Sequence, residues 1–127
     1  MTETKNVKQN ELQSQELCEL IVDSIQQTKG EEIVQLDLRD IPEAPADFFV
    51  ICSGKSDTEV KAITNNLLKQ LKDEYGQFPN HVEGQSNSQW ILVDFFDVVL
   101  HVFYPETRKF YDIENLWGDA KVTAFEA

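Results

Sequence analysis

Acidic residues outnumber basic residues about two to one in this 127-residue chain, in which 23 Asp and Glu stand against 11 Lys and Arg for a formal charge of −12. Phosphate backbones repel such a chain, so the composition disfavours direct nucleic-acid binding and favours a basic protein partner, unless the acidity serves only solubility. The length, together with 41% hydrophobic residues, predicts a single domain with one core.

No stretch of the sequence approaches the roughly 18 apolar residues that a membrane span requires. Residues 1–15 also lack the apolar segment of a signal peptide. We therefore expect a soluble, cytoplasmic protein that does not contact membranes. Cys18 and Cys52 are the only two cysteines, and because they lack metal-binding spacing we expect both to be core residues in a reducing compartment.

Helical and extended patterns alternate along the first half of the chain. Helices are predicted at residues 11–28 and 56–75, and strands at residues 32–38 and 48–53. Ser56 and Glu59 have the spacing of a capping box at the start of the second helix. Gly30 and Gly76 follow the two helices as stop signals. The strand at 48–53 is a continuous apolar run, so we expect it to be buried on both faces.

The second half of the chain predicts three strands and a short helical segment. The strands are expected at residues 78–83, 89–94 and 97–103, and the helical turns at 106–117. The turn between the last two strands is too short for a crossover, so these strands should form an antiparallel hairpin. The unit from strand 48–53 through a helix to strand 78–83 is long enough for a parallel crossover.

The order of these elements predicts an α/β fold, namely a single domain with a mixed sheet of about five strands flanked by helices. All five glycines lie at the boundaries of predicted elements, which is typical of a compact domain without linkers or repeats. The domain is expected to span residues 11–120. A flexible N-terminal segment at 1–10 and a flexible C-terminal tail at 121–127 are expected on either side.

The sequence SGKSD at residues 53–57 raises the question of a phosphate-binding loop, because a strand there gives way to a glycine and a helix N-terminus. A P-loop needs a glycine where this chain has Phe49, so a capped helix start is the better interpretation. The aspartate pairs at 37–40 and 94–97 lack the spacing that brings two carboxylates to one metal ion. No catalytic site, metal or cofactor is predicted, and a nucleotide-handling enzyme is the weaker alternative.

The two histidines, His81 and His101, have no companion ligands at a spacing that would bind zinc. We expect each to be a sheet residue whose ring is hydrogen-bonded to a neighbour such as Glu83. No serine or cysteine lies in the sequence context of a nucleophile elbow. The sequence therefore directs attention away from catalysis and toward the surface of the sheet.

The strand at 89–94 has apolar residues on both of its faces. Trp90, Leu92 and Asp94 share one face, whereas Ile91 and Val93 share the other. One face should therefore cover the helices, and the other is either covered as well or exposed to a partner. An exposed tryptophan in an apolar patch is typical of an interface anchor. The alternative is a tryptophan packed under a loop.

Three blocks of sequence carry a resemblance to a known family. They are LDLRDIPEAPADFFVICSGKSDTEVKAI at 36–63, VEG at 82–84 and WILVDFFDVVLHVFYPETRKFYDIENLWGDA at 90–120. In this order, with SGxSD, DVVxHVF and FYDIExLW as the most specific elements, they resemble the ribosomal silencing factors, also called the Iojap-like family.

The resemblance implies a function and a fold. Members of this family bind the large ribosomal subunit through large-subunit ribosomal protein fourteen, obstruct joining of the small subunit and so repress translation under nutrient limitation. The fold would resemble a pared-down nucleotidyltransferase without catalysis or a cofactor. The family is also described as homodimeric when free. A generic protein-binding module is the alternative that the residues alone leave open.

The resemblance also implies candidate contact residues for the ribosomal protein. Trp90 is the first candidate, with Leu92 and Asp94 beside it on the same strand face. Weaker candidates at other motif positions, expected to make polar contacts, are Glu83, Asp97, His101 and Lys61. Tyr111 and Trp117 match motif positions too, and a structural role suits them equally.

One position departs from the family pattern. The family commonly has a glycine before the second aspartate of the turn at 94–97, whereas this chain has Phe96. A positive φ is disfavoured for phenylalanine, so the turn is expected to depart from the family geometry. The rings of Phe95 and Phe96 are expected to extend the contact surface.

Overall fold

A six-stranded mixed sheet forms the centre of the computed structural model, which describes residues 13–127. The strands are β1 (Glu31–Asp37), β2 (Phe48–Ser53), β3 (His81–Glu83), β4 (Trp90–Asp94), β5 (Val98–Phe103) and β6 (Lys121–Phe125). The helices are α1 (Ser14–Gln27), α2 (Asp57–Tyr75), α3 (Pro105–Tyr111) and α4 (Ile113–Leu116). The predicted α/β class, with one domain and a mixed sheet flanked by helices, is confirmed.

The strand order across the sheet is β3-β4-β5-β2-β1-β6. The central pair β2 and β5 is parallel, with Phe48 opposite Val98, and the other four pairs are antiparallel. The predicted hairpin of β4 and β5 is confirmed. The predicted parallel crossover from β2 through α2 to β3 is present, because the pairings make β3 run parallel to β2, although β5 and β4 lie between the two strands. Every residue of β5 is buried, whereas β3 is short and largely exposed, so β3 suits the edge of the sheet.

The two faces of the sheet are covered differently. Helices α1 and α2 pack on one face, here called the helix-covered face, where Ile91 and Val93 are fully buried with Ile21 and Leu67. The opposite face receives the 38–47 loop and the α4 region, which together bury Phe49 and its neighbours, and Tyr111 of α3 at its margin. Trp90 and Leu92 lie at the margin of this second cluster and are only partly buried. Alternate residues of β4 therefore lie on opposite faces of the sheet, as predicted.

The start of α2 has one of the two bonds of the predicted capping box, and the Glu59 carboxylate bonds to the Lys55 amide and not to that of Ser56. The Ser56 hydroxyl accepts a hydrogen bond from the Glu59 amide (3.1 Å), and the Glu59 carboxylate accepts one from the Lys55 amide (3.2 Å). The helix ends at Gly76, whose φ of +62° is the left-handed conformation that glycine adopts at low cost. The SGKSD segment is thus a capped helix start.

Residues 121–125 form strand β6, although the sequence predicts a flexible tail there. Strand β6 pairs antiparallel with β1, with Lys121 opposite Asp37 and Phe125 opposite Ile33. It is exposed along nearly its whole length, so its pairing with β1, and not the burial of an apolar face, makes it a strand. The predicted flexible segment at 1–10 lies outside the described residues. Within residues 13–127, no helix combines the length and apolarity needed to cross a membrane.

Candidate protein-binding surface

The indole of Trp90 is held by contacts on the face opposite α1 and α2. It stacks on Phe103 with ring centroids 4.9 Å apart, and Tyr111 of α3 approaches it at 4.8 Å. Its Nε1–H donates a hydrogen bond to Nδ1 of His101 (3.1 Å). Phe103, Tyr111 and His101 therefore fix the ring in place. Trp90 nevertheless stays partly exposed, so part of the ring reaches solvent.

His101 lies beneath Trp90 and is almost completely buried, with 4% of its surface exposed. The ring of Phe49 meets it edge-on at 4.5 Å. Burial lowers the pKa of His101 from 6.5 to about 4, because desolvation disfavours the charged imidazolium. The prediction of a hydrogen-bonded sheet histidine is confirmed, with Trp90 as the partner. For a direct polar contact with another protein, His101 is poorly placed.

Carboxylates lie beside Trp90 and Leu92 at the β3 edge of the sheet. Glu83 is opposite Leu92 in the β3–β4 pairing, and His81 is opposite Asp94. Glu83 and His81 are exposed and contact one another through a short hydrogen bond. We call Trp90, Leu92, Asp94, Glu83 and His81 together the Trp90 face. It combines an aromatic ring and an aliphatic side chain with acidic neighbours.

The β4–β5 turn separates its two phenylalanines. Phe95 is buried in the core of the helix-covered face at 8% exposure, whereas Phe96 projects into solvent at 66%. Only one ring therefore extends the surface at this tip, and the expectation that both do is corrected. Phe96 adopts φ +74°, held by its amide, which donates to the Asp94 carboxylate (2.7 Å). Asp97 is exposed, and its carbonyl accepts from the amides of Asp47 and Phe48.

Lys61 lies apart from the Trp90 face. It is exposed on α2, whose apolar side packs on the helix-covered face, and it borders an open pocket of about 440 Å³ with the 86–89 loop. The fold therefore brings Trp90, Leu92, Asp94 and Glu83 to one surface but places Lys61 elsewhere.

The clamp formed by Arg108 was not predicted from the sequence. Its guanidinium donates two hydrogen bonds to Glu114 (3.0 Å each), one to the Ser53 hydroxyl (2.9 Å) and one to the Glu32 carbonyl (2.8 Å). These bonds join α3 and α4 to the ends of β1 and β2, and so hold Tyr111 against Trp90. The six-residue spacing of Arg108 and Glu114 matches no helical period, because the chain turns between the two helices at Asp112 (φ +46°).

The charged groups that first suggested phosphate or metal chemistry have other partners. Lys55 lies 3.6 Å from the Glu31 carboxylate. Both carboxylate oxygens of Asp37 accept from Arg39 (3.0 and 2.8 Å), which lowers the pKa of Asp37. Among the described residues, no group of three His, Cys, Asp or Glu side chains is placed to hold a metal ion.

The fold and this surface define a small α/β protein with an exposed aromatic and acidic face. A family model described as "Ribosomal silencing factor during starvation" matches residues 11–127. The chain therefore belongs to the ribosomal silencing factor family, as its resemblance predicted. The family has a ribosome-associated silencing role, and its bacterial relatives are named for that regulatory role.

Individual relatives agree with this assignment. A ribosomal silencing factor of Halalkalibacterium halodurans is 39% identical over 115 residues, which cover 91% of this chain and 97% of the relative. The Bacillus subtilis relative is 44% identical over 92 residues, covering 72% and 76%. A crystal structure of a Chromobacterium violaceum protein matches with a TM-score of 0.79 at 36% identity, covering 84% of this chain and 88% of that chain.

Organelle proteins match over a shorter stretch. A mouse protein named for mitochondrial assembly of the ribosomal large subunit is 38% identical over 77 residues, 56% of this chain and 32% of its own length. A chloroplastic Iojap protein of Arabidopsis thaliana is 37% identical over 73 residues, 58% of this chain and 30% of its own length. Less than a third of each organelle protein is therefore covered.

Proposed function

We propose that this protein binds the large ribosomal subunit in the cytoplasm through large-subunit ribosomal protein fourteen. Bound there, it sterically blocks joining of the small subunit and represses translation under nutrient limitation. The observation that carries the proposal is the Trp90 face, where a fixed and partly exposed indole lies beside Leu92 and the carboxylates of Glu83 and Asp94.

The chemistry of the Trp90 face suits a basic protein partner. Tryptophan anchors are among the residues that contribute most to protein interfaces. Acidic neighbours accelerate encounter with a positively charged partner and orient it, and the chain as a whole carries a formal charge of −12. The name of the mouse relative, which refers to the ribosomal large subunit, supports the choice of subunit.

Binding of the purified protein to purified ribosomal protein fourteen tests the proposal. Trp90→Ala should weaken the complex about tenfold or more, because it removes an anchor worth at least roughly 1.4 kcal/mol. Circular dichroism must show that the variant is folded, since the substitution also removes contacts to Phe103 and His101. A folded Trp90→Ala protein that binds normally would remove Trp90 from the interface.

A charge-reversal pair tests the same surface without disturbing the core. Glu83→Lys changes an exposed residue of the Trp90 face, and Glu74→Lys makes the same change in net charge on exposed α2. We expect Glu83→Lys to weaken binding several-fold more than Glu74→Lys. Equal effects would mean that only the overall charge matters and that this face is not the contact.

A subunit-joining assay tests the second half of the proposal. Added protein should lower the fraction of ribosomal subunits that associate, and folded Trp90→Ala should lower it much less at the same concentration. If the protein binds the large subunit but association is unchanged, steric blocking is refuted while the binding proposal stands.

A further inference from the structure

The only hydrogen-bonding group of the Trp90 indole points into the protein. Its Nε1–H donates to Nδ1 of His101 (3.1 Å), while Phe103 and Tyr111 contact the ring itself. Ring stacking is tolerant of rotation within the ring plane, whereas a hydrogen bond fixes direction. The bond to His101 is therefore the contact that determines which edge of the indole remains exposed.

The two ring nitrogens of His101 indicate that its polar role is to accept this one hydrogen bond. An Nδ1 that accepts a hydrogen bond carries no proton, so the hydrogen of the neutral ring lies on Nε2. That Nε2 is buried without a hydrogen-bond partner among residues 13–127, which is unfavourable in a protein interior. An apolar side chain would avoid this cost. The polar role of His101 thus resides in its bond to Trp90.

The neutral form of His101 persists at physiological pH. The ring is buried against Phe49, Trp90 and Phe103, and desolvation lowers its pKa to about 4. Nδ1 therefore remains an acceptor under the conditions in which ribosomes assemble.

We infer that His101 is a positioning residue, which fixes the Trp90 indole for the ribosomal partner without contacting that partner itself. The inference rests on the proposed function and replaces the expectation that His101 makes a polar contact. Because the Trp90 donor is already used, the partner meets the carbon surface of the indole. Suitable partner groups are an aliphatic side chain or the cation of Lys or Arg, which the neighbouring carboxylates Glu83 and Asp94 would also attract.

The first test is made on the free protein by nuclear magnetic resonance of the tryptophan indole N–H signals. The chain contains two tryptophans, and Trp117→Phe assigns the two signals. His101→Leu removes the acceptor, whereas His101→Asn puts an amide oxygen in the place of Nδ1. We expect the Trp90 signal to move upfield in His101→Leu and to stay near its wild-type position in His101→Asn, with the Trp117 signal as the internal control.

The second test measures binding of the same variants to purified large ribosomal subunits. His101→Leu should bind about fivefold more weakly, the size of effect expected for one net hydrogen bond. His101→Asn should bind within about twofold of wild type. A double-mutant cycle adds Trp90→Phe, which removes the donor. If the two residues act through their shared bond, the double variant should bind no more weakly than the weaker single variant.

The outcomes separate this inference from the proposed function. If wild-type protein binds the subunit and folded His101→Leu binds equally well, or if the Trp90 signal does not move in that variant, positioning by His101 is refuted. If neither wild-type protein nor any variant binds the subunit, the proposed function and this role of His101 fail together. A shift of the Trp90 signal would then report only a hydrogen bond within the folded protein. Should His101→Leu fail to fold, His101→Phe is the second acceptor-free variant and the same criteria apply.

Discussion

Neighbouring residues of β4 have opposite surroundings on the two faces of the sheet. Ile91 is fully buried against α1 and α2, whereas Leu92 is partly exposed beside Glu83 and His101. The helix-covered face consists of close-packed aliphatic and aromatic side chains whose role is to fill space. The opposite face arranges an indole, a buried imidazole and carboxylates in fixed positions. Under the proposed function, the comparison teaches that stability and recognition are divided between the two sides of a single strand.

The largest expected effect is on the helix-covered face. Ile91→Ala should lower the free energy of unfolding by about 4 kcal/mol, because it removes a fully buried side chain and leaves a cavity. Urea unfolding at pH 7 measures the loss. The folded fraction of this variant should still bind the large subunit with wild-type affinity.

Leu92→Ala is the matched control for Ile91→Ala on the other side of the strand. It should lower the free energy of unfolding by only about 1 kcal/mol, since the side chain is partly exposed already. Binding to the large subunit should weaken about fivefold. If the two variants lose equal stability and equal affinity, the division of roles between the faces is wrong.

The Arg108 clamp supports the Trp90 face, because it holds α3, and with it Tyr111, over that face. Arg108→Ala should lower the free energy of unfolding by about 3 kcal/mol, since loss of the mostly buried guanidinium leaves Glu114 and Ser53 without their partner. Arg39→Ala breaks a similar pair with Asp37, in which the arginine side chain is about half exposed, and should cost less. A smaller loss for Arg108→Ala than for Arg39→Ala would contradict the clamp.

His101, which lies beneath Trp90, should make the stability of the protein depend on pH. Its pKa is about 4 in the folded protein against 6.5 in an exposed histidine. Between pH 7 and pH 5 the unfolded chain therefore gains a proton that the folded protein does not accept, so stability falls as pH falls. The expected contribution is about 2 kcal/mol.

Urea unfolding of wild type and His101→Asn at pH 7 and pH 5 isolates this contribution, because the carboxylates and His81 are common to both proteins. The wild-type protein should lose about 2 kcal/mol more than the variant over this range. Equal losses would show that His101 titrates normally in the folded protein.

The smallest expected effect is at the tip of the β4–β5 turn. Phe96→Gly should raise the free energy of unfolding by up to about 1 kcal/mol, because glycine adopts the observed φ of +74° without strain. Phe78→Gly is the control, since Phe78 is equally exposed at 66% but does not have a positive φ. A stabilising effect of both substitutions would mean that loss of an exposed ring, and not relief of the turn, is responsible.

Much of the fold follows from local signals in the sequence. The capped start of α2 was predictable because Ser56 and Glu59 interact three residues apart, and the β4–β5 hairpin was predictable because a short turn joins its two strands. The division of β4 into two faces was predictable from alternation alone. Strand β6 was not, because its side chains are exposed and only its pairing with β1 makes it a strand.

The candidate surface was predictable only in part. Trp90, Leu92 and Asp94 lie on one strand, so their common face follows from period two. The separation of Phe95 from Phe96 depends on the left-handed backbone of Phe96, which the residue type disfavours. The bond between His101 and Trp90 and the clamp of Arg108 join distant strands and helices, and no local pattern reports such long-range contacts.

The parallel pairing of β2 with β5 has a consequence for how the chain folds. Strands β1 and β2 on one side, and β3, β4 and β5 on the other, are each joined to near neighbours in sequence, whereas Phe48 and Val98 are about 50 residues apart. Local contacts form faster than distant ones, because loop closure costs less entropy. The pairing of β1 with β6 is more distant still, since Ile33 lies opposite Phe125. We expect the β1–β2 and β3–β4–β5 pairings to form first and the distant pairings β2–β5 and β1–β6 to form later, so a slow folding step should coincide with the formation of these distant pairs.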